Sequence, residues 1–358
     1  VSGRPGCLLG SALAGLRPVE EALAPEVRAR LDSLTKPPGS LGRLEDLALR
    51  LALIQDTIKP QAAPRAVLVF AADHGVAAEG VSAYPREVTA QMVLNFLRGG
   101  AAVNVLARQA DARLTVVDVG VDHDFGAPSA GLTEDKVRRG TASITRGPAM
   151  SRDEAVAALE AGIRAADRSV DGGVCLIATG DMGIGNTTPS AALTACFTGR
   201  PAAEVTGPGT GVAGDALARK VAAVERALEV NRPDPADPVG TLAAVGGLEI
   251  GAIAGAVLGA ARRRVPVLVD GFISTAGALV AQALCPAAAG YLIAAHRSAE
   301  PGHRAALEHL GLQPLLELDL RLGEGTGAVL AMHLAEAAVR VLGEMATFDG
   351  AGVSGRAP

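Results

Sequence analysis

The chain has 358 residues, 49% of them apolar, 20% charged and only 2% aromatic, with 44 glycines, no tryptophan and a formal net charge of −5. That length allows one large domain or two modest ones, and a sizeable core built from Ala, Val and Leu rather than from rings. The acidic balance, with no basic tract and no aromatic-plus-basic stripe, excludes a nucleic-acid binder.

Residues 5–16, PGCLLGSALAGL, carry only Arg4 as a basic flank and run straight into a helical pattern. We read them as a packing or flexible N-terminal segment rather than a secretory leader. Residues 18–33 predict an amphipathic helix despite Pro25. Pro37, Pro38 and Gly39 then break the chain, Ser40 is placed to cap a helix, and Leu41, Leu44, Leu47 and Leu51 recur at helical spacing. From Ala66 onward the pattern changes to strand–loop–helix units. Apolar strands are expected at 66–73, 114–120, 173–179, 265–271 and 290–295, and helices at 85–97, 152–166, 189–197, 212–228, 248–263 and 275–284. Asn231–Gly240, NRPDPADPVG, is the most loop-like insertion. The run from Ala243 to Ala261 is interrupted by Glu249 and rich in Gly and Ala, so it predicts a buried helix and no membrane span. A last long helix is expected from Gly325, and it could pack with the N-terminal helices as a second helical layer.

Continuously apolar strands alternating with helices mean a parallel sheet covered on both faces, a three-layer α/β fold of Rossmann-like type. Ligands in such folds bind at the carboxyl ends of the strands. Five polar segments follow strand ends here: DHG, DVG, TGDMGIGNTT, DGFIST and AHRSAE. Cys7, Cys175, Cys196 and Cys285 form no CxxC pair and read as reduced, buried thiols of a cytoplasmic protein. The scattered histidines, without HExxH, indicate no metal site.

Three glycine segments each open a helix: Gly180–Thr188 (GDMGIGNTT), Thr206–Gly211 (TGPGTG) and Gly323–Gly327 (GEGTG). Together they suggest backbone N–H groups and helix N-termini facing an anion; helix caps and tight turns are the plain alternative. The first has no lysine, so it is not the nucleoside-triphosphate loop. The first strand is followed by DHGVAAEG, not GxGxxG, which excludes a dinucleotide dehydrogenase. Glu324, flanked by glycines at a helix start, is uncrowded and suited to act as a general base. Asp181 would repel a phosphate and could instead bond a ribose hydroxyl or a base nitrogen. Asp73 and His74 end the first strand, where fixing the turn and touching a ligand are equally open. Asp270, with Ser274 and Thr275, supplies one acid where the common diphosphate-binding motif has two.

The segments LTKPPGSLGRLEDLA, FAADHGVAAEGVSAYPREVTAQMV, GDMGIGNTTPSAAL, TGPGTG, VLVDGFISTAGAL, AHRSAEPGH and LRLGEGTGAVLAM, in this order from about Leu34 to beyond Leu330, together resemble the nicotinate-nucleotide–dimethylbenzimidazole phosphoribosyltransferase family. The resemblance implies transfer of the phosphoribosyl group of nicotinate mononucleotide to 5,6-dimethylbenzimidazole with inversion at C1′, without cofactor or metal. It implies a large α/β domain, 60–305, a small helical domain from both chain ends, 1–59 plus 306–358, and a homodimer. Carried over position by position, Glu324 matches the base and Lys220 the phosphate-side lysine. Gly183, Ile184, Gly185, Asn186, Thr187, Gly209, Thr210 and Gly211 would cradle phosphate and ribose. Ser82, Tyr84, Gln91, Met92, Ser298 and Leu322 would line the slot for the two rings. The resemblance also places Asp181 with Glu324 among the catalytic residues, bonding the ribose or assisting the base, with one departure: the family loop is usually GEMGIGNTT, and here its acid is the shorter Asp181. A transferase of the same fold for another azole or a phenolic base, and a non-catalytic nucleotide sensor, are the alternatives.

Overall fold

The computed structural model describes residues 7–126 and 130–354. The start of the N-terminal apolar stretch, residues 5 and 6, lies outside them. The strands are β1 (Arg65–Ala72), β2 (Ala112–Gly120), β3 (Leu132–Glu134), β4 (Leu176–Met182), β5 (Val267–Val269) and β6 (Leu292–Ala294). They form one sheet in the order β3-β2-β1-β4-β5-β6, and every neighbouring pair is parallel. All eight residues of β1 are buried, as a central strand covered on both faces requires. Chain order reverses across β1 and β4, so a crevice opens where their carboxyl ends diverge.

The helices are α1 (Cys7–Gly15), α2 (Ala24–Ser33), α3 (Arg43–Gln55), α4 (Val88–Leu97), α5 (Ala102–Gln109), α6 (Arg152–Asp171), α7 (Thr187–Thr198) and α8 (Ala202–Val205). They continue with α9 (Asp215–Asn231), α10 (Pro238–Val245), α11 (Leu248–Arg262), α12 (Phe272–Leu284), α13 (Pro301–Leu310), α14 (Thr326–Glu344) and α15 (Phe348–Ala351). The most extensive helix pair is α6 with α11. Glycine makes it possible: a Cβ on Gly162 would lie 1.8 Å from the Ala252 carbonyl oxygen, and one on Gly255 1.8 Å from that of Leu159. Residues 248–261 of α11 are all buried, Glu249 included.

The two chain ends meet. Helix α3 packs on α14. The Arg30 guanidinium donates to the Leu342 and Met345 carbonyls at 3.2 and 2.8 Å, and Leu34 bridges Thr347. Helix α14 also lies on β4, β5 and α5, while α1 lies on α6 and α11. There Glu160 accepts the Leu8 and Leu9 N–H groups at 2.9 and 3.1 Å. Helix α14 has the length and hydropathy of a membrane span, but half of that window is buried in the fold.

Several expectations shift. Strand β3 is too short to show as an apolar run. Helix α10 arises within and beyond the loop-like insertion because Asp237 caps it, accepting Gly240 N–H at 3.1 Å, with Pro238 in its first turn. Helix α2 starts at Ala24, which places Pro25 where its missing N–H costs nothing. Ser40 does not cap α3; Gly42 precedes it. The cysteines are free, but Cys7 is exposed and the other three only half-buried.

Candidate active site

Strand β4 runs further than the apolar pattern indicates: Gly180, Asp181 and Met182 are its last residues, and the glycine loop proper begins at Gly183. A Cβ on Gly183 would sit 2.5 Å from the Ala72 carbonyl oxygen and 3.1 Å from His74 Nε2, so only glycine lets the loop lie on the end of β1. Three of the loop's N–H groups bond within the protein. Ile184 N–H donates to Thr89 Oγ1 (3.1 Å), Asn186 N–H to the Gly183 carbonyl (3.0 Å) and Thr188 N–H to that of Gly185 (3.1 Å). Gly183, Ile184 and Gly185 are not among the residues lining the cavity, and the Ile184 N–H is already engaged. Asn186 and Thr187, at the start of α7, reach the cavity.

That cavity, about 240 Å³, lies at the carboxyl ends of β4, β5 and β6. It gathers Asp181, Asn186 and Thr187 from the first glycine segment, Gly209 and Thr210 from the second, and Gly323 from the third with Leu322 just before it. Tyr84 and Ser298 complete the expected set. Ser82 stands just behind: its hydroxyl pairs with Thr210 Oγ1 (3.0 Å), which also accepts Ala83 N–H (3.0 Å) and so ties this segment to the second glycine loop. Tyr84 and Leu322 are 56% and 57% exposed, two apolar side chains at the mouth. Gln91 does not line this cavity; it lines an adjoining one of about 680 Å³ with Asp73 and Asp122. Met92 packs against the core, and Gly211 stands outside the cavity wall at φ +110°.

Lys220 reaches the second glycine loop fully buried and donates to the Gly207 carbonyl at 2.8 Å. Its Nζ would lie 2.6 Å from a Cβ on Gly209, beside Thr187 Oγ1. Burial pulls its ammonium down to about 8, against the upward pull of Glu300. Glu300 holds the same loop by accepting Gly209 N–H at 2.8 Å.

Asp181 lines the cavity, whereas Glu324, next to the lining residue Gly323, and Lys220 stand just behind its wall. Asp181 Oδ2 accepts Asn186 Nδ2–H at 2.9 Å, while Oδ1 has no partner among the described residues. Burial, then the Asp270 charge, push its carboxyl well above the usual range; the Asn186 bond opposes them. Glu324 is buried, with Oε2 unpartnered among the described residues. Burial and Asp270 raise it to about 7, with the Val103 N–H at the start of α5 pulling the other way. It sits at φ +63° between Gly323 at +82° and Gly325 at +90°.

Sequence reasoning passed over His296, Glu300 and Arg321, and weighed Asp270 only against the diphosphate-binding motif. His296, Glu300 and Arg321 line the cavity. His296 is buried, with neither ring nitrogen hydrogen-bonded among the described residues. Beside it His303 Nδ1 accepts Ser298 N–H (2.9 Å), and Nε2 lies 2.9 Å from Thr275 Oγ1, whose own proton goes to the Gly271 carbonyl. His303 is thus the neutral Nε2–H tautomer, and burial drives it down to about 3. The strand-end rule did mark the segments of Asp270, His296 and Glu300, though not that of Arg321; it could not say which side chain turns inward. His74, open at the sequence level, is buried and pairs with Glu249 at 2.7 Å. Burial lowers it, but the Glu249 charge and hydrogen bond together with the Asp73 charge outweigh that and raise it.

A 3-2-1-4-5-6 parallel sheet with glycine segments, a buried lysine and raised carboxyls around one crevice fits a transferase of phosphorylated ribosides. A family model described as Phosphoribosyltransferase matches residues 16–353, and the chain is an enzyme of that class. It is 57% identical over 346 residues to the nicotinate-nucleotide–dimethylbenzimidazole phosphoribosyltransferase of Geobacter metallireducens, covering 97% of this chain and 98% of that one. Against the Chloroflexus aggregans enzyme of the same name the figures are 57% over 347 residues, 97% and 98%. The crystal structure of the Thermus thermophilus enzyme matches with a TM-score of 0.88 at 54% identity, covering 93% and 98%. A crystal structure of CobT from the same organism matches at 0.90 and 55%, covering 94% and 99%. The chain belongs to the nicotinate-nucleotide–dimethylbenzimidazole phosphoribosyltransferase family.

Proposed function

We propose that this enzyme transfers the phosphoribosyl group of nicotinate mononucleotide to 5,6-dimethylbenzimidazole, giving α-ribazole 5′-phosphate and nicotinate. The observation that carries the reading is Glu324: a buried carboxyl beside the crevice, raised to about 7, half ionised at neutral pH and so able to take a proton. In this reading the 5′-phosphate is held, not transferred, by Lys220, Thr187 and the Gly209–Gly211 segment. The unprotonated nitrogen of the benzimidazole attacks C1′ from the face opposite nicotinate, inverting it. The C1′–N bond electrons return to the pyridinium ring, which leaves as nicotinate with a neutral ring nitrogen, and Glu324 receives the proton of the other ring N–H. The pyridinium needs no acid to leave, so one base suffices. Tyr84 and Leu322 offer apolar surface to the acceptor, and Ser298 contacts substrate. Asp181, one carbon shorter than the family's usual acid, is assigned to a ribose hydroxyl. Holding both rings in line contributes on the order of 7–11 kcal/mol to the barrier reduction.

The test is to incubate the protein with both substrates, without added metal, and to follow both rings by chromatography. Nicotinate release matched by α-ribazole 5′-phosphate is expected. Nucleotide binding without transfer, for dimethylbenzimidazole and for other azoles and phenols alike, would reject the enzyme reading in favour of a sensor.

A further inference from the structure

Asp270 has no task in the reaction as just described, yet it is fully buried under the site with both oxygens engaged. Oδ2 accepts Gly325 N–H at 3.1 Å and Oδ1 accepts Ala328 N–H at 2.9 Å. These donors are the residue after Glu324 and the first turn of α14. The turn they follow, Gly323–Glu324–Gly325, is left-handed at three successive residues. A glutamate held there is unfavourable unless its surroundings over-determine it. Asp270 supplies that determination by joining the end of β5 to the start of α14, where a carboxylate is also favoured by the helix dipole.

We propose that Asp270 is a positioning residue for the transfer reaction: its carboxylate fastens the left-handed turn and thereby aims the Glu324 carboxyl. The inference rests on Glu324 being the base. The groups facing Glu324 are Asp270 from the β5–α12 junction, Asp181 from β4 and the Val103 N–H from α5. Asp270 itself faces Asp181 and, at 3.6 Å, His296 Nε2 from the end of β6. The negative charge of Asp270 raises Glu324, so its removal favours the Glu324 anion.

Asp270→Asn keeps the shape, removes the charge and replaces one accepting oxygen by a donor. The expected result is a fall in kcat on the order of 10- to 100-fold, with KM for nicotinate mononucleotide within about twofold of the original. The acid limb of kcat should move to lower pH by about half a unit. Gly325→Ala leaves Asp270 intact but puts a Cβ at φ +90°, 3.0 Å from Val67 Cγ1; it should lower kcat alone and leave the limb in place. An unchanged kcat in Asp270→Asn overturns the proposal. So does a loss of kcat with KM and thermal stability while the limb stays put, the signature of a merely structural role. If Asp270→Asn does not fold, an unchanged kcat in Gly325→Ala overturns it, and a kcat-only loss supports it. Glu324→Gln run in parallel separates the two ideas. Normal turnover there removes the base reading; an inactive Glu324→Gln beside an unaffected Asp270→Asn removes this inference alone.

Discussion

Glu324 and Lys220 are drawn toward neutrality from opposite sides, because burial disfavours the charged form of each. The carboxyl rises to about 7 and the ammonium falls to about 8. Both are charged together only in the interval between. We therefore expect kcat/KM to follow a bell, rising with pH through about 7 as Glu324 ionises and falling above about 8 as Lys220 loses its proton. Glu324→Gln should lower turnover by about 10²- to 10⁴-fold and abolish the acid limb while nucleotide binding persists. Lys220→Ala should weaken nicotinate mononucleotide binding by about 10- to 100-fold, the worth of a charge-assisted hydrogen bond, and leave dimethylbenzimidazole binding unchanged in calorimetry. Asp181 carries a stability signature. Its carboxyl is raised in the folded state, so its contribution is present at low pH and lost as pH rises through the folded value. Asp181→Asn imitates the protonated form. The variant's Tm should fall less than that of the parent between pH 5 and pH 8, by a few degrees, and equal pH dependence in thermal scans would refute the assignment.

Among the elements, the glycine loop acts through packing. Its first turn lies on the carbonyl of Ala72 and the His74 ring, and His74 is braced by Glu249 from α11. Gly183→Ala should cost about 1–3 kcal/mol in chemical denaturation, since the obstacle at 2.5 Å is backbone and cannot swing aside. A neutral result would mean that the loop stands off the strand. The second loop is tied differently, by Glu300, Lys220 and the Thr210–Ser82 contact. These partners come from segments far apart in the chain, which is why spacing in the sequence could not rank them. The strand ends were legible because apolar runs are contiguous. The direction of each polar side chain beyond them was not, because a turn of one residue decides whether it faces the cavity or the core.

For the whole molecule we propose the division into a large α/β domain, 60–305, and a small helical domain from 1–59 and 306–358. The stitching of α2 and α3 to α14 and to the segment around Thr347 supports it; the packing of α1 on α6 and α11, and of α14 on β4 and β5, shows how far the two share a core. Arg30→Ala, which removes both bonds to the C-terminal end of α14, should lower Tm by about 2–4 °C; no change would mean that the ends are held by apolar contacts alone. The reading also carries a cytoplasmic homodimer, and a monomer mass in solution would remove the dimer from it.

Sequence alone determined the parallel α/β class, the strand ends as the place of the site, the exclusion of a dinucleotide loop, and the glycine-flanked Glu324. These depend on contiguous apolar runs and local spacing, which survive in one dimension. Tertiary structure alone decided that the Ile184 N–H turns to Thr89, that Gln91 faces a neighbouring cavity, and that Asp270 lies against both Glu324 and His296. It also decided which charges are buried together. Protonation near neutrality follows from desolvation and from charges brought close by folding, and neither exists until the strands are side by side.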